Sequence, residues 1–160
     1  MLSLEEDIRE TIEEYSDMVY RIALTRSGIV ENAEDIFQEV FIKYSQKKPK
    51  FESKEHKKAW LIRVTLNTSK NFVNQAWNRK VVNLDENINF ETKEESDIFS
   101  IVCELPEKYR TVIYLFYYEG YKVEEIAKLL KTKEGTVKTR LSRSRQALRD
   151  KLKGGFEDGQ

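Results

Sequence analysis

The chain is predicted to be all-α, with two small helical domains joined by a flexible acidic linker. Three observations lead there. Apolar residues recur at helical spacing along most of the 160 residues, while strand-like alternation is nearly absent. Two prolines and six glycines leave room for long helices and few turns. Charge is laid out in blocks although the net is zero. Basic and acidic side chains number 3 and 11 in residues 1–40, 11 and 2 in 41–80, 1 and 7 in 81–105, and 13 and 6 in 106–153. Two acidic blocks alternating with two basic ones suggest two polyanion-facing surfaces, each joined to a surface for something else.

The composition also excludes other classes. No stretch approaches the roughly 18 apolar residues of a membrane span, so no membrane insertion is expected. The start, MLSLEEDIRE, is acidic and lacks an apolar secretory core, so no signal peptide is expected. The lone cysteine, Cys103, cannot form an internal disulfide and points to a reducing cytoplasm. One histidine, His56, and the lack of a Gly-rich phosphate loop, metal-ligand cluster or nucleophile motif argue against an enzyme. No cofactor and no metal are expected.

Ser3, with Glu6 three residues on, has the capping-box pattern for a first helix. Ile8, Ile12, Tyr15, Val19, Ile22 and Ala23 would face inward, and Gly28 would interrupt it. Asn32 reads as the cap of a second helix, Ala33 to about Lys47, with Ala33, Ile36, Phe37, Val40, Phe41 and Tyr44 on its core face. Asp35, Gln38, Glu39 and Ile42 fall together on the opposite side, at i, i+3, i+4 and i+7. An outward isoleucine inside an acidic and amide stripe suits a polar-rimmed protein contact. A single exposed isoleucine is also commonplace.

Residues 47–56 form a basic loop with Pro49, and Ser53 caps a third helix from about Lys54 to Trp77. Leu61, Ile62, Thr65, Leu66, Phe72, Val73, Ala76 and Trp77 make its apolar side. Trp60, Arg63, Asn67, Asn71 and Asn74 gather opposite, with Lys70 at the edge. An aromatic, cations and amides on one stripe can stack on and hydrogen-bond to unpaired bases. The plain alternative is that Trp60 packs on a neighbour and the asparagines are solvated.

Residues 81–104 break the helical period and read as the linker. Extended, Val81 to Leu105 reaches at most about 80 Å. Two turns of DNA span roughly 70 Å, so such a linker lets two domains touch one duplex. Leu105-Pro106 opens another helix, with Tyr109, Val112, Ile113 and Phe116 on its core side and Gly120 closing it.

Residues 123–151 read as a short helix, a turn at Lys131-Thr132-Lys133 and a longer helix from Glu134. Ile126, Ala127 and Leu130 give the short helix its apolar face, with Leu129 at the edge. On the long helix Val137, Leu141, Ser144, Leu148 and Leu152 share one face. Thr136, Thr139, Ser142, Arg143 and Gln146 lie opposite, flanked by Lys138, Arg140 and Arg145. A close helix crossing followed by a basic, hydroxyl-rich helix is how a helix-turn-helix meets a major groove. A hairpin with merely solvated charges is the alternative, but such a surface usually mixes its signs. Residues 154–160 read as a disordered tail.

Three stretches resemble one family. Asn-Ala-Glu-Asp-Ile-Phe-Gln-Glu-Val-Phe (32–41) is similar to the core-polymerase-binding helix of extracytoplasmic-function (ECF) sigma factors, the minimal two-domain members of the sigma-70 family. Ala-Trp-Leu-Ile-Arg-Val-Thr-Leu-Asn (59–67) is similar to their promoter-melting helix. Leu-Pro-Glu-Lys-Tyr-Arg (105–110) with Glu-Gly-Thr-Val-Lys-Thr-Arg-Leu-Ser-Arg (134–143) is similar to their C-terminal domain. The sequence departs from the family at Asn71, Asn74 and Gln75, where Asp and Arg are frequent, and at Lys131, where helix-turn-helix units often carry Gly.

The resemblance implies a sigma factor that brings RNA polymerase core enzyme to promoter DNA. Residues 1–80 would be region 2, docking on the polymerase clamp through Asp35, Gln38, Glu39 and Ile42. The same region would hold the −10 element open with Trp60, Arg63, Asn67, Lys70, Asn71 and Asn74. Residues 105–153 would be region 4, the domain that meets the polymerase flap. It would read the −35 element with Thr136, Lys138, Thr139, Arg140, Ser142, Arg143 and Arg145. Such proteins are often regulated by an anti-sigma factor. A stand-alone helix-turn-helix transcriptional regulator is the rival, and it would bind an operator without polymerase.

Overall fold

The computed structural model describes residues 2–76 and 90–158, the side chains of 73–76 and 155–158 excepted. Among the described residues there are seven helices and no strand. The chain divides into two compact units, α1–α3 and α4–α7.

The first unit packs α1 (Leu4–Ser27) against α2 (Val30–Lys47) and α3 (Lys54–Ala76). The Ser3 hydroxyl accepts from Glu6 N at 3.2 Å and starts α1, and Gly28 at φ 71° ends it. Helix α2 begins at Val30, with Ile29 in the capping position, and the Asn32 expected as its cap lies inside the helix. Burial of Ile29 beside the glycine turn sets the start, and Ala33 N bonds to Ile29 O at 2.9 Å. Ser53 caps α3 as its sequence predicts, accepting from His56 N at 3.0 Å.

Val19, Ile22, Ala33, Ile36, Val40, Leu61 and Ile62 make the first core. Thr11 and Met18 join it, while Ile8 and Ile12 are half-buried. Phe37 is half-buried between Tyr20 and Phe41. Phe72, expected in the core, is also half-buried; Val73, Ala76 and Trp77 lie outside the described side chains.

A polar knot crosses this core. Tyr44 is buried, and its hydroxyl donates to Asp7 Oδ2 at 2.5 Å. Lys57 Nζ sits 3.6 Å from the other Asp7 oxygen and 5.5 Å from the Tyr44 ring centre. One residue from each helix thus meets at one place. Burial first, and then the bond to Asp7, push the Tyr44 phenol above the usual tyrosine value.

In the second unit α4 (Lys93–Cys103), α5 (Glu107–Tyr117), α6 (Val123–Leu130) and α7 (Glu134–Asp158) enclose a smaller core. Helix α4 corrects the expectation of a linker for residues 93–103, while 81–89 lie outside the described residues. Thr92 caps it, accepting from Glu95 N at 3.1 Å, and it buries Phe99, Val102 and Cys103. Glu94 and Glu95 sit in its first turn, where they complement the helix dipole, so an acidic run and a helix coincide.

Helix α4 also explains α5. Val112 and Ile113 are buried as their spacing predicts, Tyr109 and Phe116 only half so. Thr111, Tyr114 and Leu115 are buried as well. The Phe99 ring meets Tyr114 edge-on at 5.8 Å, and the Tyr118 hydroxyl donates to Glu95 O at 2.7 Å. Burial pushes the Cys103 thiol up to about 12, so it stays protonated at neutral pH.

Between α6 and α7, Lys131 adopts the left-handed conformation at φ 55°, ψ 48°, where glycine is the commoner residue. Thr132 N bonds back to Ala127 O at 2.9 Å, closing the turn. Leu129 is buried and Leu130 half-buried, the reverse of the expected order. Leu152 is exposed, and α7 continues to Asp158 through residues expected to be a disordered tail from 154.

The Tyr44 knot generates a prediction. Tyr44→Phe should lower the stability of the first unit by about 1–2 kcal/mol, because a buried phenol loses its hydrogen bond to a carboxylate at the edge of the core. Urea denaturation followed by circular dichroism measures it, and an unchanged midpoint would dismiss the knot as incidental.

Candidate nucleic-acid interfaces

The second unit presents one face of α7 because the other is fully used. Val137, Leu141 and Ser144 are buried, and Ser144 Oγ donates to Arg140 O at 2.5 Å. Helical geometry then sends Lys138, Thr139, Ser142, Arg143 and Gln146 to solvent, where all five are exposed. Thr136 and Arg140 are half-exposed. Thr139 and Arg143 stand one turn apart, so both can address one stretch of ligand. Six of the seven residues expected there therefore lie on or beside the open face.

Arg145 is the exception. Its Nε donates to the Tyr117 hydroxyl at 2.7 Å, and its guanidinium lies 5.2 Å over the Phe116 ring. The structure uses this flank cation to brace α7 on α5.

On the other flank the fold brings in residues that sequence spacing did not show. A cleft of about 370 Å³ opens between α5 and α7. Lys108 and Tyr109 form one wall, and Thr136, Thr139, Arg140 and Arg143 the other. Lys108 carried no local signal beyond its charge, since its neighbours on α7 come from about 30 residues later in the chain.

In the first unit Arg63, Asn67, Lys70 and Asn71 are exposed on one side of α3, as expected. The side chain of Asn74 lies outside the described residues. Trp60 does not stand with them. It is half-buried, with its ring 5.8 Å from Tyr44 and 5.9 Å from Phe51. Phe51 stacks on Tyr44 and meets His56 edge-on at 5.3 Å. The basic loop before α3 is thus folded onto an aromatic cluster that includes Trp60. Packing, the plainer alternative, is where the structure places this ring.

The outer side of α2 is open. Asp35 and Gln38 are exposed, Ile42 is 52% exposed, and Glu39 pairs with Lys43 at 3.5 Å. An apolar side chain half in water among acids and an amide offers a contact to another protein. Among the described residues no cluster could hold a metal, and no helix is long and apolar enough to cross a membrane.

Comparison with known proteins matches both units. Residues 11–79 fit the family Sigma-70 region 2, and residues 97–148 fit Sigma-70, region 4. The second match begins inside α4. RNA polymerase sigma factor SigV of Bacillus subtilis is 30% identical over 147 residues, covering 88% of each chain. ECF RNA polymerase sigma factor SigE of Mycolicibacterium smegmatis is 30% identical over 156 residues; the match covers 89% of this chain and 60% of that protein's length. In fold the chain is similar to the sigma factor RpoE solved with the anti-sigma factor NepR from Bartonella quintana. That likeness has a TM-score of 0.73 at 22% identity and covers 92% of this chain and 97% of the other. It is also similar to CnrH solved with the cytosolic domain of CnrY, with a TM-score of 0.63 at 19% identity over 92% and 88%.

The aromatic cluster separates the α3 residues by experiment. Trp60→Ala should lower the first unit's stability by about 2–3 kcal/mol, somewhat less than for a fully buried ring. Asn67→Ala should stay within about 0.5 kcal/mol of wild type. Thermal melts measure both, and equal melting temperatures would return Trp60 to the open face.

Proposed function

The chain belongs to the ECF subfamily of sigma-70 family RNA polymerase sigma factors, and we propose that its two units divide the promoter between them. Sigma factors are non-enzymatic initiation factors, and this one serves promoter-specific transcription initiation. The finer assignment rests on one observation: α7 buries Val137, Leu141 and Ser144 and so holds Thr139, Ser142 and Arg143 outward together.

In this reading α7 lies in the major groove of the −35 element. Thr139 and Arg143 reach base edges, while Lys138 and Arg140 meet phosphates. The exposed stripe Arg63, Asn67, Lys70 and Asn71 of α3 faces the opened −10 strand, with amides to read base edges and cations for the backbone. Trp60 supports that stripe from behind. The outer side of α2, through Asp35, Gln38, Glu39 and Ile42, docks on the polymerase clamp, and the second unit meets the flap. An anti-sigma factor as regulator, and work in the cytoplasm, complete the reading; no catalytic step belongs to it. One protein similar in fold, RpoE, was solved with the anti-sigma factor NepR.

Run-off transcription with purified core polymerase on a promoter library tests the assignment and yields the preferred promoter. Product only with this chain and core together supports it. Operator binding without core would favour a stand-alone regulator.

Two variants refine it. Gln38→Ala with Ile42→Glu should abolish core binding in a pull-down while leaving the helical signal and melting temperature near wild type, since both positions lie off the core. Undiminished binding would remove this face from the docking role. Arg143→Ala should relax preference at one or two −35 positions, with roughly 1–3 kcal/mol of discrimination lost there. A library selection that returns the wild-type −35 pattern would move base readout to another residue.

A further inference from the structure

The cleft between α5 and α7 holds chemistry that an exposed recognition face does not need. No carboxylate lines it. Lys108 and Arg140 form no ion pair among the described residues. Lys108 is steered, with its Nζ 5.2 Å from the centre of the Tyr109 ring. Thr136 and Thr139, each with a hydroxyl, border the same space. Cations and hydroxyls converging without an acid suit an oxyanion.

Gly135 completes the cleft, at the second residue of α7. The fold does not need a glycine there. Among the described residues the positive-φ glycines are Gly28 and Gly120, whereas Gly135 is ordinary helix. A Cβ at Gly135 would meet nothing within 4 Å. Glycine disfavours a helix relative to alanine, so helix propensity gives no reason for it. Close approach of a ligand to bare backbone is a reason that packing does not supply.

We propose that this cleft seats one phosphate of duplex DNA, with Lys108 as its positioning cation and Gly135 kept bare to admit it. The proposal rests on the reading of α7 as the DNA-facing helix and extends the interface to α5. A phosphate held between α5 and α7 fixes the depth and tilt at which Thr139 and Arg143 meet base edges. It carries no sequence information itself.

Because a phosphate contact acts on any sequence, the test needs no known promoter. The full chain is titrated with a short random-sequence duplex across a salt series. Lys108→Ala should reduce the slope of log affinity against log salt by about 0.9, the loss of one phosphate contact. Gly135→Ala should melt at the same or a higher temperature yet bind several-fold more weakly. Lys138→Ala, exposed and outside the cleft, is the reference cation and should also reduce the slope. If Lys138→Ala reduces it while Lys108→Ala and Gly135→Ala bind as wild type, the cleft is overturned and the DNA-facing reading stands. If all three match wild type, that reading falls and the cleft with it. A Gly135→Ala protein that melts well below wild type would show a structural need for the glycine and overturn its part in the argument.

Discussion

A buried phenol must find an acceptor, and both units are built around that constraint. Tyr44 and Tyr114 are among the largest fully enclosed side chains, at 2% and 0% exposure. Leaving such a hydroxyl unsatisfied costs about 1–3 kcal/mol. Each has a carboxylate instead: Tyr44 donates to Asp7 and Tyr114 to Glu119, both at 2.5 Å. The Asp7 bond ties the start of α1 to the end of α2, and Lys57 brings in the start of α3. The Glu119 bond closes α5 just where the chain turns toward α6, while the Tyr114 ring holds Phe99 of α4. Both knots hold scaffold in place.

Helix α7 is where folding and recognition share one element. Its buried residues recur so that no rotation of the helix can hide its cations without exposing Val137 and Leu141. The turn after α6 is set by buried Ala127, whose carbonyl accepts from Thr132 N, and by Lys131 in a conformation that costs a side-chain-bearing residue roughly 1–2 kcal/mol. The surrounding turn bonds hold it there. Such local strain is tolerated because the short α6, with Ile126 and Leu129 buried, has nowhere else to pack.

The faces differ in how far they are committed to the fold. Arg145 is engaged by Tyr117 and Phe116, and Lys43 of α2 by Glu39 and by Thr68 of α3. Arg143, Lys138, Arg63 and Lys70 remain exposed. A cation already bonded within the fold must break that bond before it can meet a phosphate, whereas an exposed one loses only water. Charge counting along the chain cannot separate the two groups.

The sequence by itself determined the helical class, the two-unit organisation, the helix-turn-helix and most of the outward residues. These follow from periodicity, because one buried face of a helix fixes the opposite one through about 100° per residue. Three things were decided only by tertiary structure. Helix α4 was hidden because its acidic first turn resembles a linker, and its apolar residues, Phe99, Val102 and Cys103, cluster late and need α5 to bury them. Trp60 was placed by Tyr44 and Phe51, which reach it from α2 and from the loop before α3. Lys108 and Gly135 became neighbours because α5 and α7 pack together. Periodicity reports which side of a helix is buried; only packing between helices decides what covers it and what stands across a cleft.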